Sequence, residues 1–390
     1  MSSLVHRVYF VPGMFGFGQL AGYDYFKHVR LGLEKRFAAL NVNAVFEDVP
    51  APPTSSIRYR SRILAATVAK SADSQDGPIH LIGHSTGGLD VRLVLSPSVS
   101  LGVPREQLAW RKRVVSAVTI NTPHYGTPLA SYFATVSGTR VLYVLSLLTV
   151  VSLTIGEPSL AVFSRLVAGV GGIDSLFGGD MKVFSRVTDS VLRFVDRDGR
   201  GEIADFLSKV RIDQGAIIQI MPEAMDLFNA ATALDPSVRY GCVVTAAPPP
   251  RAMRFAKRIW SPYAAFTAAI YSTLYQFASQ ESEVYPYARA TPREADLLRI
   301  GIDHEVNQSS NDGIVPTLSM LWGELLWAGE ADHLDILGHF HDDQKPKVHQ
   351  DWVTSGSRFS RQRFGAVLDE IVKFALREGE RPSPSRPNNG

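Results

Sequence analysis

The chain has 390 residues, 45% of them hydrophobic and 20% charged, the make-up of an ordinary globular protein with a sizeable core. Its 40 basic residues nearly balance 38 acidic ones, and a net charge of +2 gives no electrostatic case for nucleic acid as a partner. The single cysteine, Cys242, rules out an intramolecular disulfide and any multi-cysteine metal site, and its apolar neighbours suit a buried, inert thiol.

Residues 1–7 lack the basic head, apolar centre and small-residue cleavage site of a secretory signal. The expected location is therefore the cytosol, unless a leader has been removed. A short β-rich run, Val8-Tyr9-Phe10-Val11, leads into the glycine-rich loop Pro12-Gly13-Met14-Phe15-Gly16-Phe17-Gly18. That loop has neither the Lys-Ser/Thr ending of a P-loop nor the dinucleotide spacing of glycines. Residues 25–40 place Phe26, Val29, Leu33 and Phe37 on one helical face, and residues 42–46 suit a second strand. A proline-rich connection, 50–56, precedes a helix over 57–72 whose Arg58, Arg60 and Arg62 are expected on its exposed start. Strand, helix, strand, helix, strand in this order predicts a parallel sheet covered by helices, an α/β fold.

Residues 78–82 read as a buried strand running into Gly83-His84-Ser85-Thr86-Gly87-Gly88, and residues 89–95 read as a helix. This is the Gly-x-Ser-x-Gly pattern in its strand–turn–helix setting. A serine hydroxyl is a weak nucleophile, so it must stand exposed beside a base and near donors for an oxyanion. Ser85 is the candidate nucleophile. Backbone N–H groups of Thr86 and of the first loop, Met14 with Phe15 as second choice, are the candidate oxyanion donors. A glycine turn that serves packing alone is the competing reading of that loop.

Residues 114–120 form a β-branched run suited to a further buried strand, and the basic Arg111-Lys112-Arg113 before it suits a solvated entrance. His124 follows in a proline-bracketed loop and reads as a structural histidine. The region then changes character. Between residues 125 and 164 the only charges are Arg140 and Glu157. Residues 141–156 are too few to span a bilayer, so a buried core helix competes with a mobile apolar lid, and the lid is favoured. Asp196-Arg197-Asp198-Gly199-Arg200-Gly201 resembles the front of an EF-hand loop, but Leu207 stands where the bidentate glutamate belongs. A charged turn between helices is expected there, without calcium.

The strand pattern resumes at 237–246. Arg251, Arg254, Lys257 and Arg258 then suit a solvated face, and 263–277 an aromatic-rich helix. Asn311-Asp312-Gly313 puts an aspartate in a turn, and Asp332-His333-Leu334-Asp335 puts a histidine in a loop further on. Chain order Ser85, Asp312, His333 suits a triad in which Asp312 orients His333 and His333 carries the proton of Ser85. His339, His341 and His349, with Asp303, Asp332 and Asp335, are the rivals for these roles. Phe340-His341-Asp342-Asp343 reads as a polar loop, with metal binding as its alternative.

The segments Val11-Pro12-Gly13-Met14-Phe15-Gly16, Gly83 to Gly88, Thr122-Pro123-His124-Tyr125-Gly126-Thr127, Asp226-Leu227-Phe228-Asn229, Asn311-Asp312-Gly313-Ile314-Val315 and Asp332-His333-Leu334-Asp335 occur in that order. Together they resemble the bacterial triacylglycerol lipases of the α/β-hydrolase superfamily. The resemblance implies a mostly parallel sheet with flanking helices and an inserted helical cap. The hydrolase core would be 1–128 and 234–380, the cap or lid 129–233, and 381–390 a disordered tail. It implies hydrolysis of carboxylic esters of apolar acyl chains through an acyl-enzyme on Ser85, with Asp312 and His333 as its partners. Phospholipase, polyester depolymerase or acyltransferase chemistry on the same triad, and an inactive binding module, are the alternatives. The implied partner is a lipid or ester substrate, with the cap touching a lipid interface. No cofactor is required for the chemistry, but relatives hold a structural calcium through an acidic residue two places after the histidine, here Asp335. Asp342 is the further ligand offered. The family's first loop has His-Gly where this chain has Pro12-Gly13.

Overall fold

A computed structural model describes residues 4–14, 19–20, 23–72, 77–154, 197–250 and 261–377. Six strands make one sheet in the order β4 (Ala44–Asp48), β1 (His6–Val11), β5 (Ile79–His84), β6 (Val114–Ile120), β7 (Arg239–Ala246), β8 (Glu324–Glu330), all parallel. The pair β2 (Gln19–Leu20) and β3 (Tyr23–Asp24) forms a separate small antiparallel ribbon. A parallel sheet needs both faces covered, and β5 is accordingly buried along its whole length.

Chain direction explains the layers. From β1 the chain steps to β4 on one side through α1 (Lys27–Ala39), then returns through α2 (Ile57–Ser71) to β5 on the other side. Right-handed crossovers put those two helices on opposite faces, with a crevice at the carboxyl ends where the direction reverses. The contacts agree. Helix α3 (Thr86–Leu95) packs on α2, whereas the last helix, α11 (Arg361–Ala375), packs on α1. Helix α1 buries Val29, Leu33 and Phe37, the stripe expected from their spacing.

Among the described residues, the segment between β6 and β7 contributes helices and no strand: α4 (Pro128–Phe133), α5 (Val136–Thr154), α6 (Arg197–Ile212), α7 (Gly215–Gln219) and α8 (Pro222–Ala231). Helix α5 buries Leu142, Leu145, Leu147 and Val150, and its Thr149 accepts a 3.0 Å hydrogen bond from Trp352. These side chains are buried, as the core-helix reading expected. No described helix is long and apolar enough to cross a membrane.

Two expectations need correction. Residues 197–203 are not a turn; they begin α6. Gly199 and Gly201 each cost a helix about 1 kcal/mol. Burial of Ile203, Phe206, Leu207 and Val210 at three- and four-residue spacing outweighs that cost. Arg60 is not on an exposed face either; it is fully buried. Residues 155–196, the basic run 251–258 and the tail 381–390 lie outside the described residues.

The remaining two helices flank β8's approach. Helix α9 (Pro262–Ala278) starts at a Ser261 cap, and α10 (Pro292–Gly301) starts with a complete capping box, Thr291 against Glu294. Cys242 is buried in β7, as its apolar neighbours suggested.

Candidate active site

Strand β5 ends at His84 and α3 begins at Thr86, so the whole reversal falls on Ser85. Its backbone has φ 53° and ψ −129°, a region that a non-glycine residue occupies only when its surroundings force it. The surroundings do so. A Cβ on Gly83 would stand 2.6 Å from the backbone of Gly87, and one on Gly87 would collide with the Val11 carbonyl oxygen. The N–H of Ser85 donates to the Ile120 carbonyl on the neighbouring strand at 2.8 Å. The turn is therefore clamped between β1 and β6.

The loop after β1 lies directly against it. A Cβ on Gly13 would be 2.6 Å from Ser85 Cβ and 3.2 Å from Ser85 Oγ. Met14, next in that loop, is buried, whereas Phe15 is outside the described residues. Thr86 opens α3, so its N–H is one of the four that intrahelical bonding leaves over.

Arg60 holds this arrangement from behind. Its Nε donates to Asp90 on α3 at 2.9 Å, and its other nitrogens reach the carbonyls of Pro52, Pro53 and Pro12. One guanidinium thus ties α2 to the loop carrying Met14 and to the helix leaving Ser85. Burial raises the Asp90 carboxyl to about 6 even though Arg60 opposes the shift.

The other two sequence candidates come together at the ends of β7 and β8. Asn311 accepts from the Ala247 N–H just after β7, and Ala331, just after β8, donates to Ala246. Asp312 and His333 follow from these two anchors. His333 Nδ1 meets Asp312 Oδ2 at 2.6 Å, and the His333 N–H donates to the Asp312 carbonyl at 3.1 Å. The other carboxylate oxygen, Asp312 Oδ1, accepts from the N–H groups of Ile314 and Val315. An acceptor on Nδ1 makes that nitrogen the donor, which leaves Nε2 as the basic position.

His333 Nε2 is buried and has no hydrogen-bond partner among the described residues, so a Ser85–His333 hydrogen bond is not formed. Such bonds are often long in an empty site and tighten only around substrate. Ser85 is 5% exposed and His333 and Asp312 1% each, so all three residues are buried.

The rival residues have other employment. His124 Nδ1 faces Arg92 at 3.2 Å, its Nε2 faces Thr119 at 3.1 Å, and its ring stacks on Trp322. His341 pairs with Asp343 at the surface, and His349 bonds the Gly338 carbonyl. His339 packs edge-on against His28, and Asp303 pairs with Arg363. Asp332 accepts from the N–H groups of Leu334 and Asp335, which shapes the turn holding His333.

Asp332 and Asp335 also belong to a carboxylate cluster completed by Asp351, with one oxygen of each within 4.8 Å of the others. Asp332 is fully buried, and its Oδ2 has no hydrogen-bond partner among the described residues. Burial, then the charges of Asp335 and Asp351, push its carboxyl well above the usual range. Asp342 is not part of the cluster. Although burial opposes it, Arg361 and the N–H groups of Val348, His349 and Gln344 hold that carboxyl low.

Three residues escaped the sequence reading. His84 sits inside the motif at a position that tolerates many residues, Arg60 looked like one of three exposed arginines, and Asp351 has no local pattern at all.

No protein-family model matches the chain, and no curated protein matches it. Among solved structures, the chain is similar to the EstA structure from Clostridium botulinum at 15% identity, over 94% of this chain and 87% of that one, with a TM-score of 0.49. It is similar to the Staphylococcus hyicus lipase at 17% identity, over 95% of both chains, with a TM-score of 0.49. Lipase 1 from Pelosinus fermentans is 16% identical over 95% of this chain and 99% of that one, with a TM-score of 0.47. Similarity at this level concerns fold alone, and the chemistry rests on this chain's own residues.

Proposed function

We propose that the chain is a serine hydrolase that cleaves carboxylic esters of apolar acyl chains, a lipase or carboxylesterase, through an acyl-enzyme on Ser85. The observation that carries this reading is the strained, clamped backbone at Ser85, together with a buried Asp312–His333 pair whose Nε2 has no partner among the described residues. Ser85 Oγ attacks the acyl carbon while His333 Nε2 takes its proton. The carbonyl π bond opens, and the N–H groups of Thr86 and Met14 are the proposed donors to the oxyanion. As the carbonyl re-forms, the ester C–O bond breaks and the departing alkoxide takes the proton from His333. Water then repeats the sequence, giving its proton to His333 and releasing the acid. Asp312 keeps Nδ1 protonated throughout and stabilises the charged ring.

The apolar-acyl part of the reading is supported by the nearly uncharged run of α4 and α5, which lies in the chain between Ser85 and the Asp312–His333 pair. Asp332, Asp335 and Asp351 fit a hard, oxygen-liganded cation such as calcium, because three carboxylates bring one oxygen each within 4.8 Å of the others and Asp332 is fully buried among them. Bound there, a cation would neutralise the cluster and brace the turn that presents His333.

A chain-length series of nitrophenyl esters, set beside emulsified triglyceride and phospholipid, tests the substrate. Rising kcat/KM with acyl length and turnover of emulsified triglyceride is the expected result. Preference for short soluble esters with no interfacial activity would leave only the carboxylesterase. A phospholipid preference would overturn the triglyceride reading while keeping the triad.

A further inference from the structure

We infer that His84, the residue before Ser85, is a positioning residue that sets the place of His333 relative to the nucleophile, with Tyr25 fixing its ring. This rests on the serine-hydrolase reading and extends it to the link between the two segments that must meet.

His84 is the last residue of β5, fully buried, and held in place by the same clamp that holds Ser85. Its Nε2 lies 3.0 Å from the His333 carbonyl oxygen, and its Nδ1 lies 2.8 Å from Tyr25 Oη. A carbonyl oxygen only accepts, so Nε2 carries the proton. The lone pair left on Nδ1 then accepts from the Tyr25 hydroxyl. One neutral tautomer satisfies both bonds, and flipping the ring would satisfy neither as well.

The bond matters because of what else holds His333. Its N–H and its Nδ1 are both tied to Asp312, on the side of β7. Toward Ser85 its ring nitrogen makes no hydrogen bond among the described residues. The side-chain bond from His84 to the His333 backbone joins the elbow to the histidine turn. The two rings sit 4.7 Å apart at 51°, so the His84 ring also limits where the His333 ring can move. A displacement of about 1 Å between nucleophile and base costs up to ~100-fold in rate. Tyr25, buried at the entrance to α1, supplies the third point of this bracket.

The test compares His84→Leu, His84→Gln and Tyr25→Phe by kcat, KM and fluorophosphonate labelling rate, each well below its own melting temperature. His84→Leu removes both bonds and should lower kcat and the labelling rate about 10- to 100-fold, with KM unchanged within about two-fold. His84→Gln keeps an N–H at the place of Nε2 and should recover most of that loss. Tyr25→Phe frees the ring without removing the bond to His333 and should fall between them. A labelled, active wild type with an equally active His84→Leu overturns the inference. Equal losses in Leu and Gln that track their melting temperatures also overturn it, since packing alone would produce them. A wild type that neither labels nor turns over an ester instead removes the serine-hydrolase reading itself.

Discussion

At the scale of single residues, two buried carboxylates near the site, Asp312 and Asp332, follow different logics. Asp312 is satisfied on both oxygens, by His333 and by two backbone N–H groups, so it needs nothing further. Asp332 is satisfied on Oδ1, by the N–H groups of Leu334 and Asp335, but its Oδ2 has no hydrogen-bond partner among the described residues. It is buried among like charges, and its carboxyl is pushed well above the usual range by burial and then by Asp335 and Asp351. Such a cluster relaxes by taking a proton or a cation. Calcium should therefore raise the melting temperature of the purified protein after chelator treatment. At a hundredfold excess over Kd the gain is about 2.7 kcal/mol. Asp351→Asn should abolish that gain, and a shift of equal size in the variant would disprove the ligand set. The lipase resemblance is what singled out Asp335, two places after His333, whereas Asp351 reaches the cluster only through the path of the folded chain.

At the scale of elements, what positions Ser85 is the tying of three segments by one buried ion pair. Arg60 joins α2, the loop after β1 and α3. Arg60→Leu leaves Asp90 buried without its cation, which should cost about 3–5 kcal/mol in urea unfolding. The double variant Arg60→Leu, Asp90→Leu should recover part of that loss. A single-variant cost below ~1 kcal/mol, or no recovery in the double, would contradict the account. The sequence offered the helix through its apolar spacing but hid this role, because three arginines at alternate positions read alike until the partner helix is in place. A comparable node holds α8. Arg92 has no carboxylate partner among the described residues; burial lowers it to about 9, and it stacks 3.4 Å from the Trp322 ring while donating to Asn229 and Thr232.

At the scale of the whole molecule, strand and helix order was legible because a parallel sheet demands continuous apolar runs and short-range periodicity records them. Residues 57–71, 79–84, 114–120 and 239–246 fall where those runs predicted. Charge pattern misled at 197–203, where an amphipathic face extends a helix through two glycines. The fold also buries histidines neutral. Burial pushes His28 and His80 down to about 3 and His339 to about 4, and lowers His84 and His124 well below their ordinary value. An unfolded chain binds these protons near pH 6.5, so the stability they supply is full above that pH and falls as pH drops toward 4. Asp48 and Asp90, raised to about 7 and about 6 chiefly by burial, and Asp332, raised well above its ordinary value, act in the opposite direction but are outnumbered. Melting temperature should therefore decline steadily from pH 6.5 to pH 4.5, and a flat or rising profile would contradict this balance. The central claim, that Ser85 is a nucleophile and the molecule a hydrolase built around it, is tested most directly by intact-mass analysis after reaction with a fluorophosphonate. The account predicts one adduct per chain, mapped to Ser85 and absent from Ser85→Ala; an unlabelled wild type, or labelling that survives in Ser85→Ala, would contradict it.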